Sequence, residues 1–268
     1  QVNSLITANF DSNNNIYLFF NLKEQTTAMQ FDSVSIPQNG ENPNKFIFLK
    51  LNQNGNVIGA RNYLSNENNH REYINTTGKF DGENFVVIGQ AVANFDLKNQ
   101  PLQNPYTSEY ISTTMVSKIS KEGDVLWSYP FYSGNDVHYF ITDNFDNINS
   151  NNLDFDADKN IYLIDFWRTN LNYRGTEIPM KVGANSLLFK LDASGNYLYS
   201  KYIDRPESFQ SLSVYDRDKI AVVGNSAINK LLDLPLTDKG GFNNYVVFLE
   251  KEELATSEQF TKLFSVYP

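Results

Sequence analysis

Apolar residues in this chain come in short runs, each closed by a cluster of Asp, Asn, Ser or Gly, and one order of run and turn returns four times. Short apolar runs bounded by turn residues read as strands, and self-similarity at a fixed spacing marks a repeat architecture. The most β-prone runs are Ile16-Tyr17-Leu18-Phe19-Phe20, Phe85-Val86-Val87-Ile88, Ile161-Tyr162-Leu163-Ile164 and Ile220-Ala221-Val222-Val223. An apolar strand and a polar turn precede each run. The turns begin at Asp11, Asp81, Asp156 and Asp216, where short Asp and Asn side chains can bond nearby backbone and tolerate left-handed conformations.

A variable loop follows each run and holds Pro37, Pro101, Pro179 or Pro235. A third strand then runs into a turn: Phe46 to Leu51 before Asn52-Gln53-Asn54-Gly55, Met115 to Ile119 before Ser120-Lys121-Glu122-Gly123, and Leu187 to Leu191 before Asp192-Ala193-Ser194-Gly195. That spacing predicts a type I turn closed by a left-handed glycine bulge. Fourth strands are expected over 57–63, 125–129, 197–202 and 260–267. In the fourth repeat Glu250-Lys251-Glu252-Glu253-Leu254 replaces the glycine turn, and 251–259 is the best helix candidate. Four repeats in 268 residues average 67 each, room for four strands and one long loop. The pattern predicts an all-β chain, a single β-propeller domain over 1–268 built of four-stranded antiparallel blades, with repeats at about 1–66, 67–135, 136–203 and 204–268.

Asp156 to Leu163 and Phe189-Lys190-Leu191-Asp192-Ala193-Ser194-Gly195-Asn196 through Tyr202 resemble the bacterial β-propeller repeat of the seven-bladed type. That repeat runs through an Asp-x-x-x-Asn-Ile-Tyr turn and strand, a proline loop and a Lys-Leu-Asp-x-x-Gly-Asn hairpin. The first repeat is nearly as close, with Asn52 for the Asp, and the second and fourth are looser. The resemblance implies a fold and no particular activity. The repeat count leaves three alternatives: ring closure in four, continuation beyond Pro268, or completion by a partner.

Composition narrows the function. The net charge of −9 disfavours a nucleic-acid or anionic-membrane surface, each of which needs a concentrated basic patch. Cysteine is absent and histidine is limited to His70 and His138, which removes thiolate chemistry and histidine-rich metal sites. No apolar stretch reaches the length of a membrane-spanning helix. The chain opens on Gln1, and its Asn-rich composition is similar to that of exported proteins of Bacteroidetes-type bacteria; the expectation is a periplasmic or cell-surface protein whose signal peptide has been removed.

Candidate chemistry is sparse. Asp154, Asp156, Asp158 and Asn160 alternate as calcium ligands do, with Asp165 at the twelfth position, but Lys159 stands where that loop wants glycine. A polar hairpin turn like those of the other repeats is the competing reading, and no other cofactor is expected. No Gly-x-Ser-x-Gly elbow is present, and Gly240-Gly241 lacks the Lys-Ser/Thr of a phosphate cradle. Trp127 reads as packing. Trp167, with Arg168 and Tyr173, reads either as packing or as a platform for sugar or protein, and Phe95 and Tyr106 lie in the second long loop. The long loops over 24–44, 91–113, 168–184 and 225–243 are expected to emerge on one side of every blade as the binding surface. Together these features predict a non-catalytic exported propeller that binds a protein partner as an accessory subunit of a cell-envelope assembly of the outer-membrane export or gliding type. A carbohydrate-binding propeller and a carboxylate-based glycosidase or lyase are the alternatives.

Overall fold

A computed structural model describes residues 2–22, 28–32, 34–36, 45–63, 73–92, 112–133, 152–166, 170–179, 184–204, 208–215, 219–226, 230–231, 234–235, 243–250 and 262–264. The described regular elements are all strands, paired antiparallel, and no helix among them is long and apolar enough to cross a membrane. The helix candidate over 251–259 lies outside the described residues.

The first sheet has the order β1 (Val2–Phe10), β2 (Ile16–Leu22), β5 (Lys45–Leu51), β6 (Val57–Asn62), and the hairpin β3 (Met29–Phe31) and β4 (Val34–Ile36) arises between its second and third strands. β7 (Tyr73–Phe80), β8 (Phe85–Val92), β9 (Ser112–Ile119) and β10 (Val125–Ser133) form the second sheet. The third consists of β11 (Leu153–Phe155), β12 (Ile161–Phe166), β15 (Ala184–Leu191) and β16 (Tyr197–Asp204). Its hairpin, β13 (Leu171–Tyr173) and β14 (Thr176–Ile178), extends the second sheet past β10 to six strands. The fourth sheet pairs β17 (Ser208–Tyr215), β18 (Lys219–Ser226), β21 (Asn243–Glu250) and β22 (Lys262–Phe264), with a two-residue-strand hairpin of β19 (Lys230–Leu231) and β20 (Leu234–Pro235). The sheets therefore differ in size, where the sequence suggests four strands throughout.

Two compact units divide the chain: Gln1–Val137 with Asn172–Gly175, and His138–Leu171 with Thr176–Pro268. In the first unit Tyr17, Phe19, Phe46 and Phe48 project from one face of the first sheet onto Phe85, Val87, Met115 and Ile119 of the second, all fully buried. Period-2 alternation accounts for the sorting, because neighbours in a strand point to opposite faces. Phe19 and Phe85 lie 4.9 Å apart between ring centroids and tilted by 56°, a favoured aromatic arrangement. The opposite face of the first sheet carries Phe20, Ile47 and Leu49, covered by Phe31 of the β3–β4 hairpin. In the second unit β17 lies against β11 and β12, and Asp154 Oδ2 accepts the Val214 amide at 2.7 Å.

In the first and third repeats the two tight turns share one geometry. Gly55, Gly123 and Gly195 adopt φ of 82°, 84° and 78°, and each amide donates to the carbonyl three residues back, which is the expected type I turn with its glycine bulge. The turns at Asp11 and Asp156 close in the same way, with Asn14 at φ 59° and Lys159 at φ 64° in the glycine place. After each glycine turn the outer strand carries a β-bulge whose extra residue is Ile58, Leu126 or Leu198, and all three are exposed.

Candidate functional site

The acidic turns were the sharpest chemical signal in the sequence, and the structure accounts for their carboxylates. Asp156 Oδ1 accepts the amides of Asp158 and Asn160 at 3.0 and 2.9 Å. Its Oδ2 accepts Asn160 Nδ2 at 2.8 Å and the Tyr162 hydroxyl at 3.2 Å, and lies 3.1 Å from Lys190 Nζ in a buried ion pair. Asp11 is held alike by Asn13, Asn15 and Tyr17, and Asp81 accepts two turn amides and pairs with buried Lys118 at 3.1 Å. Bonds led by the Asn15 side chain hold the Asp11 carboxyl far below the usual carboxylate range. For Asp156 burial pushes upward, but the Asn160 and Lys190 donors outweigh it and the carboxyl is lowered. Tyr17 and Tyr162 are pushed up, first by burial and then by nearby groups that include the carboxylates they bond.

This wiring decides how the calcium candidates are placed. Asp154 turns to the Val214 amide and Asp156 to its own turn and Lys190, while Asp158 is exposed. Among the described residues no three His, Cys, Asp or Glu side chains are placed to hold a metal ion. The lysines were not singled out in the sequence, although a signal existed: Lys50, Lys118 and Lys190 each stand directly across from the second residue of the preceding strand, Tyr17, Val86 and Tyr162.

Of the expected partner-binding residues, Trp167, Arg168, Phe95 and Tyr106 lie outside the described residues, as do His70 and His138. Tyr173 is fully buried, its ring stacked 4.2 Å from Phe131. It therefore supports its neighbour rather than offering a surface of its own. That neighbour, Arg174, is exposed, sits at φ 50° and lays its guanidinium 3.9 Å from the centre of the Tyr129 ring. Tyr129 in turn stacks on Trp127 at 5.3 Å and 13°. Trp127, Tyr129 and Phe131 share one face of β10 because they alternate, and the first two remain half-exposed. The result is a ladder of indole, phenol and guanidinium planes, read in sequence as Trp127-Ser128-Tyr129-Pro130-Phe131. The planes suit stacking against another flat or aromatic group.

The long connections between second and third strands leave each sheet at the end opposite the Asp and glycine turns, as antiparallel order requires. Two of their hairpins are copies. Met29-Gln30-Phe31-Asp32-Ser33-Val34-Ser35-Ile36-Pro37 parallels Leu171-Asn172-Tyr173-Arg174-Gly175-Thr176-Glu177-Ile178-Pro179, and Asp32 at φ 48° matches Arg174. In sequence, Asn94-Phe95-Asp96 with Pro101 repeats the same spacing, aligning Phe95 with Tyr173. No protein-family model matches the chain, and no curated protein matches it.

Proposed function

We propose that this protein is a non-catalytic binding module in which the antiparallel sheets act as propeller blades and the ladder on β10 takes a protein partner. The observation that carries this reading is the stack of Trp127, Tyr129 and Arg174, since Trp, Tyr and Arg are the residue types that dominate protein-binding hot spots. Support comes from the turn carboxylates: those of Asp11, Asp81 and Asp156 are engaged in holding the fold, and Arg174 is held in place by a buried tyrosine. The stacking of the first sheet on the second supports blade-like packing, and the Asn-rich composition, similar to that of exported proteins of Bacteroidetes-type bacteria, supports an exported, cell-envelope setting. A tagged full chain recovered from detergent-solubilised envelope with one stoichiometric partner, lost in Trp127→Ala and Arg174→Ala, is the expected result. Recovery of the chain alone, or a partner indifferent to both changes, overturns the reading.

The near-parallel faces of Trp127 and Tyr129 also favour a second reading, a carbohydrate ligand stacked on the ladder. A glycan array probed with the wild type and with Trp127→Ala separates the two: hits lost in the variant indicate sugar, and an empty array indicates protein.

A further inference from the structure

The turn that joins β5 to β6 holds three asparagines, Asn52, Asn54 and Asn56, and their surroundings set one of them apart. Asn52 Oδ1 accepts the amides of Asn54 at 2.9 Å and Asn56 at 3.0 Å, so this side chain is engaged by the turn itself. Asn56 precedes the β-branched Val57, whose amide donates to Asp32 Oδ2 at 2.9 Å. Asn54 is exposed, and its side chain makes no hydrogen bond among the described residues. It precedes Gly55, which is also exposed and where an added Cβ would meet nothing within 4 Å. The Gly55 amide is restrained by its 2.9 Å bond to the Asn52 carbonyl, and bonds of exposed turns open locally at low cost.

We infer that Asn54 is a site of self-modification, at which the Gly55 amide nitrogen closes on the Asn54 side chain. As the turn opens, that nitrogen attacks Cγ and forms a succinimide ring. The Cγ–Nδ2 bond breaks, and ammonia leaves with the proton given up by the amide. Water then opens the ring. Hydrolysis at Cγ restores the backbone with an aspartate at position 54, and hydrolysis at the main-chain carbonyl leaves isoaspartate, with the backbone routed through the side chain. Nothing is oxidised or reduced. Either product makes the formal charge of −9 one unit more negative. Isoaspartate also lengthens the chain between Asn52 and Asn56, whose 2.9 Å backbone bond closes the turn, and so loosens the β5–β6 hairpin. The related turns are protected from this chemistry. Glu122 and Ser194, before Gly123 and Gly195, carry no side-chain amide, and the Asp81 carboxylate before Gly82 accepts two turn amides and pairs with buried Lys118 at 3.1 Å.

The test incubates the full chain in warm, mildly alkaline, heavy-oxygen water, with circular dichroism to follow the fold, and then maps tryptic peptides by mass. Cleavage after Lys50 and Arg61 isolates the three asparagines of the turn from the other Asn–Gly pair, 39–40, which lies outside the described residues. Position 54 is expected to gain one labelled oxygen and to appear as both aspartate and isoaspartate, while Asn52 and Asn56 keep their amides. Asn54→Gln, which would need a larger ring, should stay unlabelled over the same period, and Gly55→Ala should slow the conversion by about tenfold or more. An Asn54 that keeps its amide in the folded chain, or that converts only after unfolding in urea, overturns the inference. So does labelling of Asn52 or Asn56 as fast as of Asn54, or a Gly55→Ala variant that converts at the wild-type rate. None of these outcomes depends on the partner proposed for the ladder on β10.

Discussion

The Tyr63 hydroxyl donates a 2.8 Å hydrogen bond to the Gly123 carbonyl, linking the residue that follows the outer strand of the first sheet to the glycine turn of the second. Burial, the main influence, pushes this hydroxyl up, so it stays protonated and able to donate. Glu122 and Asp124 on either side of the glycine pair with Lys50 at 3.2 Å and Arg61 at 3.7 Å. These exposed ion pairs add little, whereas the buried bond and the close approach of Phe48 hold the turn in place. Gly123→Ala is expected to cost about 2–4 kcal/mol, combining left-handed strain with overpacking. Gly55→Ala, strained but open, costs about 1–2 kcal/mol. Urea unfolding of both variants gives the difference.

The buried pair of Asp156 and Lys190 predicts asymmetric mutational behaviour. Lys190→Met leaves a buried carboxylate without its cation and is expected to cost about 3–5 kcal/mol. Removing the charge of both, as in Asp156→Asn with Lys190→Met, costs less than the sum of the single changes. A double-mutant cycle by chemical denaturation measures that coupling.

Lys159 at φ 64° stands where the other hairpins of the repeat place glycine, and a left-handed lysine is strained by about 1–2 kcal/mol. Lys159→Gly should recover part of this, raising stability by about 0.5–1 kcal/mol after the entropy cost of glycine. Asn14→Gly, at φ 59°, should change it by less than about 0.5 kcal/mol, because Asn tolerates that conformation. Thermal melts of the two variants test the contrast.

Acid sensitivity follows from the lowered carboxyls of Asp11 and Asp156. A carboxyl whose folded pKa lies below its unfolded value, about 3.9, stabilises the protein fully above that value and loses the contribution as pH falls towards the folded pKa. Melting temperature should therefore be level from neutral pH to about 5 and fall increasingly below about 4. Asp11→Asn should start lower at neutral pH and fall less steeply. Melts from neutral pH down into the acid range, run on both proteins, decide it.

Strand positions, the left-handed glycines and the Asp turns were legible because local rules govern them. Alternation assigns faces within a strand, and a turn of five residues satisfies its own amides, so Asp156 and Asn160 need nothing distant to find each other. The same locality explains the calcium-like spacing at Asp154 to Asn160: a turn that wraps its backbone around a carboxylate and a loop that wraps a cation use the same residues. What local rules do not supply is Lys190, thirty-four residues away from Asp156 in sequence and delivered to its carboxylate by strand register. Likewise Trp127 and Tyr129 alternate visibly, while Arg174 reaches them only because a hairpin from the next repeat adds to β10. The order of elements thus follows from short-range chemistry written along the chain. Which charges are neutralised and which aromatics are stacked depend on contacts between residues far apart in sequence, and those are set by packing alone.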